Sequence, residues 1–120
     1  MAKLSITTLS GENIHVKQCI SYFDKLSGLM FRKSLSKNEG IVFLYNQESR
    51  INSTIHMLFM RFPITVLWVN QNKVIVDKVL ALPWRLAYAP SKPANTIFEL
   101  HAQHIDEFKI GDKIIFDYEN

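Results

Sequence analysis

The chain has 120 residues, of which 48% are hydrophobic and 21% are charged, as is typical of a globular protein with one core. This length is too short for two stable cores, so we predict a single domain over residues 1–120. The net charge of +3 comes from scattered cations, whereas nucleic-acid-binding proteins concentrate theirs on one surface. Nucleic-acid binding is therefore not expected.

The single cysteine, Cys19, excludes an internal disulfide, so a secreted disulfide scaffold is not expected. The chain has no apolar run of about 18 residues, and we expect no segment that crosses a membrane. The first residues lack the apolar stretch of a signal peptide. Together these observations predict a cytoplasmic location.

The amino-terminal part of the chain alternates between apolar and polar residues, which is typical of strands. Residues 3–8 and 14–20 alternate in this way around a turn at 10–13, and they predict a hairpin. Residues 21–24 fit a helix capping box, and Gly28 stands where a left-handed residue ends a helix. A short helix is therefore expected between them.

The middle of the chain begins with the apolar run 41–45, which predicts a buried strand. The polar residues 46–52 predict a loop. Residues 53–60 resume an extended pattern, which is interrupted at Pro63 because proline cannot donate a hydrogen bond to a sheet.

The strongest strand signals are residues 64–70 and 73–82, which predict two strands joined by a tight turn. Nearly every residue from 64 to 69 is apolar, so we place this strand in the centre of the sheet. Residues 83–93 contain three of the four prolines and predict an ordered, extended loop.

The last part of the chain predicts a strand at 96–100, a short helix at 101–108 and a final strand at 112–118. Many short strands with two short helices indicate a mostly β domain of the α+β class. We predict a single small mixed sheet that is curled or barrel-like.

Several short motifs resemble those of one protein family. They are Gly28-Leu29-Met30-x-Arg32, Glu39-Gly40-Ile41-x-Phe43, His56-x-x-x-Met60-Arg61-x-Pro63, Pro83-Trp84-Arg85, Glu99-Leu100 and Gly111-Asp112. In this order and spacing they resemble the family known as "domain of unknown function 192", over about residues 26–116. The resemblance implies a fold and the place of a site, but no established activity.

The chain departs from the family pattern after Pro63. The family usually has a carboxylate two residues after this proline, whereas this chain has Thr65. Threonine forms hydrogen bonds but cannot neutralise a cation or act as a general base. A catalytic role at this position is therefore not expected here.

Arginines are the first candidate binding groups. Arg32 and Arg61 could hold an anion, because the planar guanidinium matches a carboxylate or a phosphate. The alternative, which we favour, is that Arg32 pairs internally with Glu39 or Glu99, because buried cations usually have a protein partner.

The two tryptophans differ in context. Trp68 lies inside a predicted strand and is expected in the core. Trp84 lies beside Arg85 on the proline-rich loop, where it would either stack on a ligand or cover the open end of the sheet. The sequence favours neither role of Trp84.

Other reactive side chains carry no strong pattern. His56 could join the methionines and Cys19 in a soft metal site, but His56 and Met60 would lie about 13 Å apart in an extended segment. Cys19 lies inside a predicted strand and is expected to be a buried structural thiol. His101 and His104 are expected on one exposed helix face.

We therefore predict a non-enzymatic binding module without catalytic residues, metal or cofactor. Its ligand would be a small anionic or sugar-like molecule or a peptide. The candidate binding residues are Met30, Arg32, His56, Met60, Arg61, Thr65, Trp84, Arg85 and Glu99.

Two alternatives stay open. One is a small hydrolase or isomerase with Glu99 as base, His56 as acid and Arg32 as anion stabiliser. The other is an interaction subunit whose sheet edge pairs with a partner protein. The sequence does not specify the oligomeric state.

Overall fold

The computed structural model describes residues 3–19 and 28–118, and these form a single sheet. Its strands are β1 (Lys3–Thr7), β2 (Asn13–Cys19), β3 (Glu39–Ser49), β4 (Ile64–Val69), β5 (Ile75–Ala81), β6 (Ala94–His101) and β7 (Phe116–Tyr118). The strand order is β5-β4-β6-β3-β2-β1-β7. β2 and β3 pair in parallel and the other neighbours are antiparallel, which confirms the predicted mixed sheet.

The sheet has a hydrophobic core on each face, because side chains alternate between the two faces along a strand. In β4, Ile64, Val66 and Trp68 belong to the core on one face, named face A, whereas Leu67 and Val69 belong to the core on face B. All six residues of β4 are buried, as the apolar run predicts. The strand nevertheless lies second from the β5 edge and not in the centre of the sheet, which β3 occupies.

The two ends of the sheet approach each other without closing a barrel. Val74 forms an isolated bridge with Lys113, and the Ile75 N–H donates to the carbonyl of Asp112 at 2.9 Å. These contacts join the start of the β5 edge to the segment that leads into β7. The sheet is therefore curled, and its last strands do not complete a ladder with β5.

The predicted helix over residues 101–108 is wrong. β6 extends to His101, which pairs with Ile64 of β4, and only the 3-10 turn Ala102–His104 follows. Pairing with β4 uses the backbone groups that would begin a helix. His104 is consequently 1% exposed and not on an exposed helix face. The other predicted helix, over residues 21–27, lies outside the described residues.

No helix in residues 3–19 and 28–118 is long and apolar enough to cross a membrane. Within these residues the structure has strands and one 3-10 turn, so the expectation of two short helices is not supported.

Two further segments differ from the sequence prediction. Residues 46–49 were predicted to be a loop, but they continue β3. The pairing of β3 with β6 is irregular between Leu44 and Ser49. Residues 53–60 form no strand and make one isolated bridge, between Ile55 and Tyr88. Hydrogen bonds to neighbouring loops replace the expected ladder there.

Gly40 lies where β3 and β6 approach each other closely. A Cβ atom on this residue would lie 2.8 Å from the backbone oxygen of Glu99 and 2.7 Å from Cδ2 of Leu100. We expect Gly40→Ala to lower the free energy of unfolding by about 1–3 kcal/mol, because the backbone contact cannot be relieved by a side-chain rotation. Urea unfolding measures this loss. A loss no larger than that of Lys17→Ala, at an exposed position of β2, would contradict the close approach.

Candidate functional site

Three loops lie together over face A: loop 1 (residues 28–38), loop 2 (residues 50–63) and loop 3 (residues 82–93). Loop 2 is in the middle, because it makes backbone hydrogen bonds to both of the others. The Phe31 N–H of loop 1 donates to the carbonyl of Phe59 at 3.1 Å. Met57 and loop 3 exchange two bonds: the Trp84 N–H donates to Met57 O at 2.7 Å, and the Met57 N–H donates to Arg85 O at 2.8 Å.

The undersides of loops 1 and 2 are apolar and form part of the face A core. Leu29, Met57 and Met60 are all buried there, beside residues of β3 and β4. Burial of each such side chain stabilises the fold by about 1.5–3 kcal/mol, which holds the loops against the sheet. Met60 was predicted as a binding residue, but its side chain belongs to this core and not to an open surface.

The outer surface of the loops carries three aromatic side chains, one from each loop. Phe31, Phe59 and Trp84 are 61%, 43% and 58% exposed, respectively. The ring centroids of Phe31 and Phe59 are 5.0 Å apart, and those of Phe59 and Trp84 are also 5.0 Å apart. These distances are those of interacting aromatic pairs. We name the three residues the aromatic platform.

Each residue of the aromatic platform has a left-handed backbone. The φ angles are 66° for Phe31, 60° for Phe59 and 70° for Trp84. Among the described residues, the remaining non-glycine residue of this kind is Lys73. The conformation costs roughly 1–2 kcal/mol per residue, because Cβ approaches the following carbonyl. The hydrogen bonds between the loops hold the strained backbone in place.

The left-handed turns explain how apolar runs divide between the core and the surface. In loop 1, Leu29 is buried and Phe31 is exposed. In loop 2, Met57 and Met60 are buried whereas Phe59 is exposed. Clusters of strained residues occur at functional sites more often than elsewhere, which makes the aromatic platform a candidate binding surface.

An arginine follows each residue of the platform within two positions. Arg32, Arg61 and Arg85 are all exposed. An Nη2 atom of Arg32 lies 3.2 Å from Oε1 of Glu39, which is one of the two partners that the sequence offered. Such an exposed pair contributes roughly 0–1 kcal/mol. Arg61 and Arg85 form no ion pair with the part of the chain that the structure describes. Each of the three loops therefore carries an exposed cation within two residues of its platform residue.

Glu99 lies below loop 1 and not on the platform. Strand alternation directs its side chain to face A, and the residue is 6% exposed. A Cβ atom on Gly28 would lie 3.7 Å from Oε1 of Glu99, so this turn of loop 1 passes directly over the carboxyl group. Burial raises the pKa of Glu99 to about 8. The pKa of Tyr45 is raised too, by its own burial and then by the charge of Glu99.

The remaining predicted binding residues are separated from one another. His56 is half-buried in loop 2, where its Nδ1 accepts a hydrogen bond from the Leu58 N–H at 3.1 Å. Met30 is half-buried in loop 1. Thr65 is fully buried, and alternation along β4 directs it to face B. The structure thus brings Trp84 and the loops that carry the arginines together over face A but leaves Thr65 on the other side of the sheet.

Thr65 has a structural role on face B. Its hydroxyl group lies within donating distance of two carbonyl oxygens, at 3.0 Å from His101 O and 3.2 Å from Ala102 O. These groups lie where β6 turns into the 3-10 turn. A hydroxyl satisfies this position because it can donate a proton to the carbonyl oxygen, which an ionised carboxylate cannot do.

Sequence reasoning missed Phe31 and Phe59. Both lie in apolar runs that are typical of core segments, and only their left-handed backbone turns them outward. A non-glycine residue gives no local signal for that conformation. The available signal was the repeated pairing of an aromatic residue with an arginine one or two positions later.

The family model of DUF192, described as "Uncharacterized ACR", matches residues 5–116. A UPF0127 protein of Pyrococcus furiosus is 38% identical over 113 residues, which cover 92% of this chain and 94% of that protein. A UPF0127 protein of Thermococcus sibiricus is 35% identical over 106 residues, which cover 87% of this chain and 67% of that protein.

Two solved structures share the fold. A Sinorhizobium meliloti protein, provisionally described as a transcription regulator, has a TM-score of 0.80 at 16% identity. The match covers 98% of this chain and 92% of that chain. A Novosphingobium aromaticivorans protein of unknown function has a TM-score of 0.77 at 22% identity, over 94% of this chain and 83% of that chain. At these identities the likeness shows the fold alone.

Proposed function

The chain belongs to the DUF192 family of uncharacterised proteins, and from the geometry of its own loops we propose that it is a non-enzymatic binding module. The binding surface is the aromatic platform with its three arginines. The ligand is a small anion that presents a ring or another apolar face, such as an acidic sugar or an acidic peptide side chain. The observation that carries this proposal is the exposure of three neighbouring aromatic side chains, in contact through Phe59, on a strained backbone.

Physical chemistry favours this ligand class. An exposed aromatic cluster leaves apolar surface in water, and covering it with the face of a ring removes that cost. Arg61 and Arg85 have no charged partner among the described residues, so they are available to an anionic group. Arginine also donates in a planar fork that fits carboxylates and phosphates. Both requirements are met by one ligand with an apolar face and a negative charge.

The three loops that carry the aromatic platform are already ordered without a ligand, which also favours binding. The three loops are joined by backbone hydrogen bonds, and their undersides are buried in the face A core. A surface that is already ordered loses little conformational entropy when the ligand binds. Tryptophan and arginine are also among the residues enriched at binding hot spots.

The hydrolase alternative keeps one supporting observation. Glu99 has the strongly shifted pKa, about 8, that is common among catalytic groups, but its carboxyl group therefore holds a proton near neutral pH and is not the ionised base that this alternative requires. In addition, Glu99 lies below loop 1, and Arg32 is paired with Glu39. These placements favour binding over catalysis by this set of residues. The interaction-subunit alternative and the cytoplasmic location stay predictions.

We expect Trp84→Ala to weaken ligand binding at least tenfold, because it removes an exposed ring of the aromatic platform that is next to Arg85 in the chain. The probes are glucuronate, glucose 6-phosphate and a blocked Asp-Phe-Glu tripeptide. Binding is measured by calorimetry, and the emission of exposed Trp84 gives a second readout in the unaltered protein.

The matched control is Leu86→Ala, because Leu86 is 75% exposed on the same loop but is not part of the platform. This variant should bind as the unaltered protein does. Equal weakening by the two substitutions, or no binding of any of the three probes, would count against the proposal.

A further inference from the structure

Three potential ligand groups lie together at a place separate from the platform. His104, Glu107 and Glu12 each offer one ligand atom, and these atoms all lie within 4.8 Å of one another. His104 belongs to the 3-10 turn after β6, and Glu107 follows it by three residues. Glu12 comes from the turn between β1 and β2, which is exposed.

The hydrogen bonds of His104 determine which of its nitrogens faces this group. Nε2 contacts the backbone oxygen of Lys37, and because a carbonyl oxygen only accepts, Nε2 carries the hydrogen. In the neutral imidazole, Nδ1 is then an acceptor. It lies 3.3 Å from Oε2 of Glu107, which as a carboxylate is also an acceptor.

Two acceptors that face each other in a buried place repel unless a positive group lies between them. His104 is 1% exposed, so water cannot screen its side of the contact. Glu107 is about one-third exposed, which leaves the group open to solvent on one side. Either a second proton on the imidazole or a cation bound by the three side chains resolves the conflict.

We propose that His104, Glu107 and Glu12 bind a divalent transition-metal ion such as Zn²⁺. Two ligands of a tetrahedral zinc are separated by roughly 3.4 Å when each bond is about 2.1 Å long, and the 3.3 Å between His104 and Glu107 matches this value. Glu12, on its exposed turn, moves inward to complete the site. Solvent fills the remaining position.

The contact between His104 Nε2 and the Lys37 carbonyl also fits a metal-binding role for His104. Metal-binding histidines usually donate their other ring N–H to a carbonyl or a carboxylate, which fixes the tautomer and the ring orientation. The Lys37 carbonyl has this position. An ion here would link the β1–β2 turn, the chain just before β3 and the segment after β6.

The test uses the full chain without a purification tag, treated with a chelator and dialysed. Zn²⁺ is titrated by calorimetry, and bound Co²⁺ is detected by its visible absorption. We expect one ion per chain and a Zn²⁺-dependent rise in melting temperature. Glu107→Gln and Glu12→Gln should each weaken Zn²⁺ binding at least tenfold, whereas Asp106→Asn, at an exposed neighbouring position, should not.

Glu12→Gln keeps the test decisive if changes near buried His104 impair folding, because Glu12 lies on an exposed turn. No saturable Zn²⁺ binding, or binding unchanged in both glutamine variants, would overturn the proposal. A doubly protonated His104 whose nitrogen resonances do not respond to Zn²⁺ would overturn it as well. These results are independent of ligand binding at the platform.

Discussion

Replacing Glu99 by glutamine is expected to stabilise the protein by several kcal/mol at pH 8 and above. The carboxyl group is buried, and its pKa is about 8 in the folded protein against an ordinary value of 4.5. At about 1.4 kcal/mol per pH unit, this difference corresponds to on the order of 5 kcal/mol. Glutamine has nearly the same shape and no charge, so it avoids this cost.

The free energy of unfolding falls with rising pH because the folded and unfolded chains release the Glu99 proton at different pH values. Below pH 4.5 the carboxyl group is protonated in both the folded and the unfolded chain, so it adds no pH dependence. Between pH 4.5 and about 8 the unfolded chain loses the proton while the folded chain keeps it, so stability falls as pH rises. Above that range both states are ionised and the loss is complete.

Urea unfolding at intervals from pH 5 to pH 9 measures this effect. The difference between the unaltered protein and Glu99→Gln isolates Glu99, because every other titratable group is common to both proteins. Glu48→Gln is the matched control, because Glu48 is only half-buried, on β3. If the difference in unfolding free energy between Glu99→Gln and the unaltered protein stays constant across this range, the pKa of Glu99 is not raised.

Replacing Trp68 by alanine is expected to lower the free energy of unfolding by about 3–5 kcal/mol. The side chain is buried in the face A core, and its indole N–H donates to the carbonyl of Ser53 at 2.7 Å. Trp68 thus packs β4 against loop 2 and also holds the start of that loop. Alanine would leave a large cavity and an unsatisfied carbonyl.

Trp68→Phe separates the contribution of ring packing from that of the indole hydrogen bond. Phenylalanine keeps most of the ring but has no N–H, so Ser53 O loses its donor at a cost of about 1–3 kcal/mol. Urea unfolding of both variants gives the two losses. Trp84→Ala is the control, because it changes the same residue type at an exposed position. It should lower the free energy of unfolding by less than Trp68→Ala or Trp68→Phe does. Equal losses at Trp68 and Trp84 would contradict the assignment of Trp68 to the core.

Amide exchange of loop 2 in Trp68→Phe links this packing to the binding surface. Ser53 and Phe59 lie in the same loop, and Phe59 is the central ring of the platform. A loop that loses its attachment to β4 should open more often and exchange its amides faster.

The alternation of apolar residues was enough to predict most of the sheet. The strand predictions at 3–8, 14–20, 64–70 and 73–82 match β1, β2, β4 and β5 within one or two residues. Side chains of a strand alternate between two faces, so a strand leaves its period in the local sequence. The motifs also indicated the family, because they keep their order and spacing along the chain.

The sequence could place Trp84 and Arg85 on a stiff loop, but not beside Phe31 and Phe59. Their assembly depends on hydrogen bonds between loops that are more than twenty residues apart in the chain. Likewise, residues 101–108 look helical locally, yet pairing with β4 extends β6 to His101. The local pattern carries no information about these distant partners.

Periodicity and composition therefore predicted a mostly β mixed sheet and most of its strands, because these properties arise from neighbouring residues. Long-range contacts determined which side chains meet in space. They buried Glu99 below Gly28, turned Thr65 away from the candidate site and brought Glu12 to His104. A pKa, a binding surface or a metal site depends on which groups meet in space, and that is decided when the sheet curls and the loops pack on it.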